Sequence, residues 1–94
     1  MFELQLAEGG VVHMKGRLDA AESDRARATL DPIPGPLTLE CSQLDYISSA
    51  GISVILLTWR RLKAEGETLK LAGLTPHVRN VFTLAALDKV FDIQ

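Results

Sequence analysis

The sequence predicts an α/β fold, a mixed β-sheet with helices packed mainly on one face, on three observations. Period-two apolar alternation recurs at Phe2-Glu3-Leu4-Gln5-Leu6, Val12-His13-Met14-Lys15, Leu37-Thr38-Leu39-Glu40-Cys41 and Leu69-Lys70-Leu71, the mark of half-buried strands. Helical segments with capping residues lie between these runs. Strand, buried helix and strand in succession form a right-handed crossover, which makes the two strands parallel. The predicted order is β-β-α-β-α-β-α-β.

The elements follow in turn. Gly9-Gly10 supplies a turn with positive φ available, so the first two strands form a hairpin. Asp19 is a helix N-cap and Glu22, three residues on, completes a box-like pattern. The helix from Ala20 to Leu30 has a thin apolar face, Ala26 and Leu30, and should rest lightly on the sheet. Asp31-Pro32-Ile33-Pro34-Gly35-Pro36 ends it, because proline cannot continue a helix. Leu37 to Cys41 reads as a central strand. Ile52 to Lys63 is apolar nearly all round for two turns and should be buried on more than one side. Glu65-Gly66-Glu67 stops it, and Leu69 and Leu71 flank Lys70 in the next strand. Thr75 caps a helix with Pro76 at its first position. Val78, Val81, Phe82 and Ala85 share one face of that helix, and Phe91 and Ile93 form a last short strand.

Composition bounds the function. The chain has 94 residues, 47% hydrophobic and 23% charged, enough for one core and too apolar for a disordered tail. A formal net charge of −2 offers no basic excess for nucleic acid. One cysteine excludes an internal disulfide framework and a multi-cysteine zinc site. The apolar run from Ile52 to Leu57, broken at Ser53, is too short for a membrane helix. The start of the chain lacks the pattern of a signal peptide. A cytoplasmic domain without membrane insertion is expected.

Enzyme motifs are sparse. Gly9-Gly10 is followed by valine rather than by a phosphate-binding helix. His13 and His77 have no acidic or cysteine partner at metal-ligand spacing, and both read as surface residues. Cys41 alternates with Leu37 and Leu39 and reads as a buried structural thiol. Arg60 and Arg61 read as a solvated face, and Trp59 as the edge of the core. No catalytic residue, metal site or cofactor is expected. One segment stands apart, Leu44-Asp45-Tyr46-Ile47-Ser48-Ser49-Ala50-Gly51-Ile52. Ser48 or Ser49 caps the buried helix, with Ala50-Gly51 allowing close packing; alternatively, a hydroxyl there receives a phosphate that the free N–H groups and helix dipole stabilise.

The segments Gly16-Arg17-Leu18-Asp19, Leu37-Thr38-Leu39-Glu40-Cys41-Ser42 and Tyr46-Ile47-Ser48-Ser49-Ala50-Gly51-Ile52-Ser53-Val54-Ile55-Leu56 together resemble a STAS domain. The Pro76-to-Asp88 helix with its ending Leu87-Asp88-Lys89-Val90-Phe91 extends the resemblance over essentially the whole chain. Stand-alone bacterial anti-sigma factor antagonists are the most similar group. The resemblance implies a STAS-like sheet and a partner switch. An unphosphorylated antagonist binds an anti-sigma factor that is a serine kinase, so freeing the sigma factor. The kinase phosphorylates a serine at the start of the central helix and breaks the complex, and a serine phosphatase restores it. The protein is then ligand and substrate, not catalyst.

The family's commonest form reads Asp-Ser-Ser-Gly, with the acceptor serine directly before glycine. Here Ser48 takes the aspartate position and Ala50, which cannot be phosphorylated, precedes Gly51. The resemblance therefore implies Ser49 as acceptor, Ser48 as second choice, or neither. It places the partner-binding surface at Asp19, Ser48, Ser49, Ala50, Gly51 and Ile52. Two other readings are a non-switching STAS subunit of another complex, such as a lipid-transport ATPase, and a small-ligand or anion-binding domain.

Overall fold

A computed structural model describes residues 1–94. Strand β1 (Phe2–Ala7) turns through a 3-10 segment at Glu8–Gly10 into β2 (Val11–Leu18). Helix α1 (Ala20–Leu30), β3 (Leu37–Ile47), α2 (Ser49–Ala64), β4 (Leu69–Ala72), α3 (Pro76–Leu84) and β5 (Asp92–Ile93) follow. The expected order of strands and helices is the observed one. The five strands lie side by side in chain order; β1 is antiparallel to β2 and every other pair is parallel.

Each parallel pair is joined by a helix, which must pack back onto the sheet. One cluster of 19 buried apolar residues joins the sheet to all three helices. Leu37, Leu39 and Cys41 point into it from β3, Ala26 and Leu30 from α1, and Val54, Ile55 and Leu62 from α2. On the far side of β2, His13, Lys15 and Arg17 are exposed, and the Arg17 guanidinium lies 4.2 Å from the ring centre of Tyr46. Phe91 closes the core against Phe82 and Trp59, edge to face, at centroid separations of 5.7 and 6.1 Å. Trp59 is therefore a core-edge residue, as its place in the sequence suggests.

Four local expectations need correcting. First, β3 does not stop at Cys41. The β2–β3 register shifts twice, between His13 and Lys15 and between Gly16 and Arg17, because β3 carries two extra residues. Each bulge reverses which side chains face inward. The buried positions thus run Leu37, Leu39, Cys41, then Leu44, then Ile47, and the period-two signal fails although the strand continues. Second, α2 starts at Ser49 rather than Ile52. Third, Arg61 is not a solvated side chain. It crosses to α1, where Nη2 donates to Leu30 O at 3.1 Å and to Ile33 O at 2.8 Å. Leu30 O, which already accepts from Ile33 N, gains a second donor, and the Ile33 carbonyl of the proline loop gains a partner. Fourth, α3 ends at Leu84, so Ala85 lies beyond it and is exposed. The Ala86 N–H bonds to Thr83 O and the Leu87 N–H to Phe82 O, with Ala86 at a φ of 59°, which is a Schellman ending. Leu87 then turns back onto the core.

Candidate functional site

Parallel strands followed by helices put all the helix starts on one edge of the sheet, beyond the carboxyl ends of the strands. Three side chains cap them. Asp19 Oδ1 accepts from Glu22 N at 3.1 Å, Ser48 Oγ from Gly51 N at 3.1 Å, and Thr75 Oγ1 from Val78 N at 3.4 Å. The Asp19 cap is as expected, but no reciprocal box forms. The Glu22 carboxylate pairs with Arg25 at 2.8 Å instead.

The starts of α1 and α2 are stitched together. Leu18 pairs with Ile47 at the end of the β2–β3 ladder. One residue on, Ser48 N donates to Leu18 O at 2.9 Å and Ser48 Oγ lies 3.3 Å from the same oxygen. Asp19, bonded directly to Leu18, therefore sits beside the serine segment. Gly51 explains how close the approach is. A Cβ at this position would lie 2.7 Å from Leu18 O and 2.9 Å from Ile47 Cγ1. Only glycine lets the first turn of α2 settle there.

The two serines have different surroundings. Ser48 is half-buried, and its hydroxyl is engaged by Gly51 N and Leu18 O. Ser49 is the first helical residue and is exposed, and its hydroxyl makes no hydrogen bond within the chain. Its carbonyl accepts from Ser53 Oγ at 3.1 Å.

An α-helix leaves its first N–H groups without partners inside the helix. Here Ser48 N goes to Leu18 O and Gly51 N to Ser48 Oγ, which leaves those of Ser49 and Ala50 for an outside acceptor. No acidic side chain stands in this first turn. Chemically the edge can present a free hydroxyl at the positive end of a sixteen-residue helix, with the Asp19 carboxylate alongside.

Of the six residues expected to meet a partner, the structure brings Asp19, Ser48, Ser49, Ala50, Gly51 and Ile52 to one edge. Gly51 is buried; Ala50 and Ile52 are half-buried, Ile52 against the core. Two features of α2 escaped the sequence reading. Ser53 and Leu57 follow Ser49 at four-residue intervals and form one outward stripe on α2, with Leu57 40% exposed. The spacing was visible, but Leu57 reads as core in an apolar run. Arg61 is the other, since its partners are thirty residues away in sequence.

Other reactive groups have no part in this edge. Cys41 is fully buried beside Glu40, and desolvation, then the Glu40 charge, pushes its pKa up to about 12. Such a thiol is a core side chain rather than a nucleophile. No group of three or more His, Cys, Asp or Glu side chains is placed to hold a metal ion. No helix is long and apolar enough to cross a membrane.

Residues 3–93 match the family described as Mlab, STAS domain. The chain belongs to the STAS domain family. This STAS domain is 33% identical over 84 residues to a Bordetella bronchiseptica protein named as the anti-sigma factor antagonist BtrV, covering 85% of this chain and 72% of that one. Its fold is similar to that of a Thermotoga maritima protein named as an anti-sigma factor antagonist, with a TM-score of 0.82 and 20% identity over 99% of this chain and 85% of that one. The Bacillus cell fate determinant SpoIIAA, solved in its phosphorylated form, has the same fold, with a TM-score of 0.72 and 21% identity over 100% of this chain and 91% of that one. The STAS domain's mixed sheet with parallel central strands is thus the family's fold. The names of the Bordetella and Thermotoga proteins describe antagonism of another protein, not a reaction.

Proposed function

We propose that this STAS domain is an anti-sigma factor antagonist that works by partner switching, with Ser49 as the phosphoryl acceptor. One observation carries the choice of serine. The Ser49 hydroxyl is exposed and unengaged at the first position of α2, whereas that of Ser48 is held by Gly51 N and Leu18 O. In the unphosphorylated state the edge formed by Asp19 and Ser48 to Ile52 docks on an anti-sigma factor that is itself a serine kinase. The γ-phosphoryl of ATP passes to Ser49 Oγ, the hydroxyl proton is lost and ADP leaves. The added group carries about −1.5 to −2 charge at pH 7. The unpartnered N–H groups of the first turn stabilise it on the domain. The same charge, next to the Asp19 carboxylate, disfavours an interface made for a neutral hydroxyl. A serine phosphatase reverses the step. The domain acts in the cytoplasm without contacting nucleic acid or entering a membrane.

A second reading has support in the family's own description, Mlab. A STAS domain can serve as a constitutive subunit of a transport complex, docking through the same edge with no phosphorylation. One experiment separates the two. The wild type and the Ser48→Ala, Ser49→Ala and Ser49→Asp variants are incubated with the cognate kinase and ATP, then mapped by peptide mass and tested for partner capture. Switching predicts label in the wild type and Ser48→Ala but not in Ser49→Ala, and capture lost in Ser49→Asp. Capture indifferent to Ser49→Asp supports the subunit reading. Label persisting in Ser49→Ala overturns the choice of acceptor.

A further inference from the structure

Strand β1 is an edge, paired with β2 alone. Its free side follows from the phase of the ladder. Arg17 N donates to Met1 O at 2.8 Å, so the Met1 and Arg17 positions form a hydrogen-bonded pair. Such pairs alternate along an antiparallel ladder. Glu3 and Gln5 therefore turn their backbone groups toward β2, while Phe2, Leu4 and Leu6 turn theirs outward. The contact of Arg25 agrees, since its guanidinium donates to Phe2 O from outside the sheet. That end of the edge is covered. The next outward positions, Leu4 and Leu6, remain open, and Leu6 is 55% exposed. Leu6 stands at the mouth of a groove of about 460 Å³ lined also by Ala7, Gly10, Ile33, Pro34 and Pro36. None of these carries a charge.

We propose that this edge pairs antiparallel with the same edge of a second copy, joining two sheets about a twofold axis through Gln5. The argument for a second copy is self-complementarity. About that axis, Leu4 of each chain faces Leu6 of the other, and each pair exchanges N–H and C=O in both directions. The second Leu4 then covers the exposed Leu6 at the groove mouth. Glu3 faces Ala7, so no like charges meet. Phe2, where Arg25 stands, faces Glu8 of the other copy. Glu8 is exposed and takes no part in the ion pairs of the single chain. The proposal is independent of partner switching, since Ser49 lies on another edge of the molecule.

An interface built on one short edge falls below the roughly 1,200 Å² of a standard complex, so it forms only in concentrated solution. Analytical ultracentrifugation up to about 1 mM, the weak end of specific association, should show the average mass climbing from one chain toward two. Amide exchange should show Leu4 and Leu6 gaining protection with concentration, while Glu3 and Gln5 stay protected throughout. Leu6→Pro removes an outward N–H that β2 does not use, and should leave a folded monomer. Leu6→Lys tests the same contact through the side chain if Leu6→Pro fails to fold. A single chain at every concentration, or a dimer unaffected by both variants, overturns the proposal. A dimer in which Leu4 and Leu6 stay unprotected overturns it equally.

Discussion

Ser48 and Ser49 are adjacent and chemically identical, yet they do separate jobs because one peptide unit separates a cap from a helical position. The hydroxyl of Ser48 replaces a missing helical partner for Gly51 N and also meets Leu18 O; that of Ser49 has nothing to hold. Stability should divide accordingly. Ser48→Ala should lose about 1 kcal/mol, the usual cost of deleting an N-cap, and Ser49→Ala should change little. Urea unfolding of the two variants against wild type measures both. Gly51 is stricter still. A Cβ there meets the Leu18 carbonyl, a backbone atom unable to swing aside. Gly51→Ala should therefore cost about 1–3 kcal/mol as overpacking despite alanine's better helix propensity, and a thermal melt shows the loss. A variant more stable than wild type would mean that α2 can back away from the sheet.

At the scale of elements, the end of α3 carries the one non-glycine residue of the chain with a positive φ. Ala86 holds a left-handed φ of 59°, the position where such helix endings normally use glycine. Ala86→Gly should stabilise the domain by about 1 kcal/mol, since the left-handed strain disappears; the midpoint of urea unfolding should rise with its slope unchanged. This ending also shows where the sequence stops being legible. Val78, Val81, Phe82 and Ala85 carry a helical spacing, but nothing in that spacing says that the chain leaves the helix at Leu84 so that Leu87 can return to the core. Boundaries with local chemistry were readable. Asp19, Thr75 and the proline loop mark α1 and α3 because caps and prolines act on neighbouring peptide units. The second half of β3 was not, since each bulge depends on β2, some thirty residues away. The candidate edge divides the same way. Its serines and glycine stand together in sequence, whereas the contact of Ser48 with Leu18, which places Asp19 beside them, exists only once β2 and β3 pair.

For the whole molecule, Cys41 reports on the core. Burial raises its pKa to about 12 against an ordinary 9.0. Below pH 9 both folded and unfolded chains keep the proton. Between pH 9 and about 12 the unfolded chain releases it and the folded one does not, so this thiol's contribution to stability falls as pH rises. The slope is about 1.4 kcal/mol per pH unit for a single group. Comparing the stability of wild type and Cys41→Ala across that range isolates the effect, since the difference between them should narrow as pH climbs. A difference independent of pH would place the thiol in contact with water.

The two bulges of β3 also govern how this molecule can vary in length. Each bulge sets two residues of β3 against one of β2, so losing one residue at either would even out the ladder and leave Leu44 and Ile47 facing the core. Losing one at each would keep Ile47 opposite Leu18 and Ser48 beside the Leu18 carbonyl. A single deletion before the first bulge, among Leu37 to Glu40, would instead turn side chains between core and solvent. Paired deletions at the bulges should therefore leave a folded sheet with its serine edge assembled, so β3 has two places where its length is free and a first stretch where it is not.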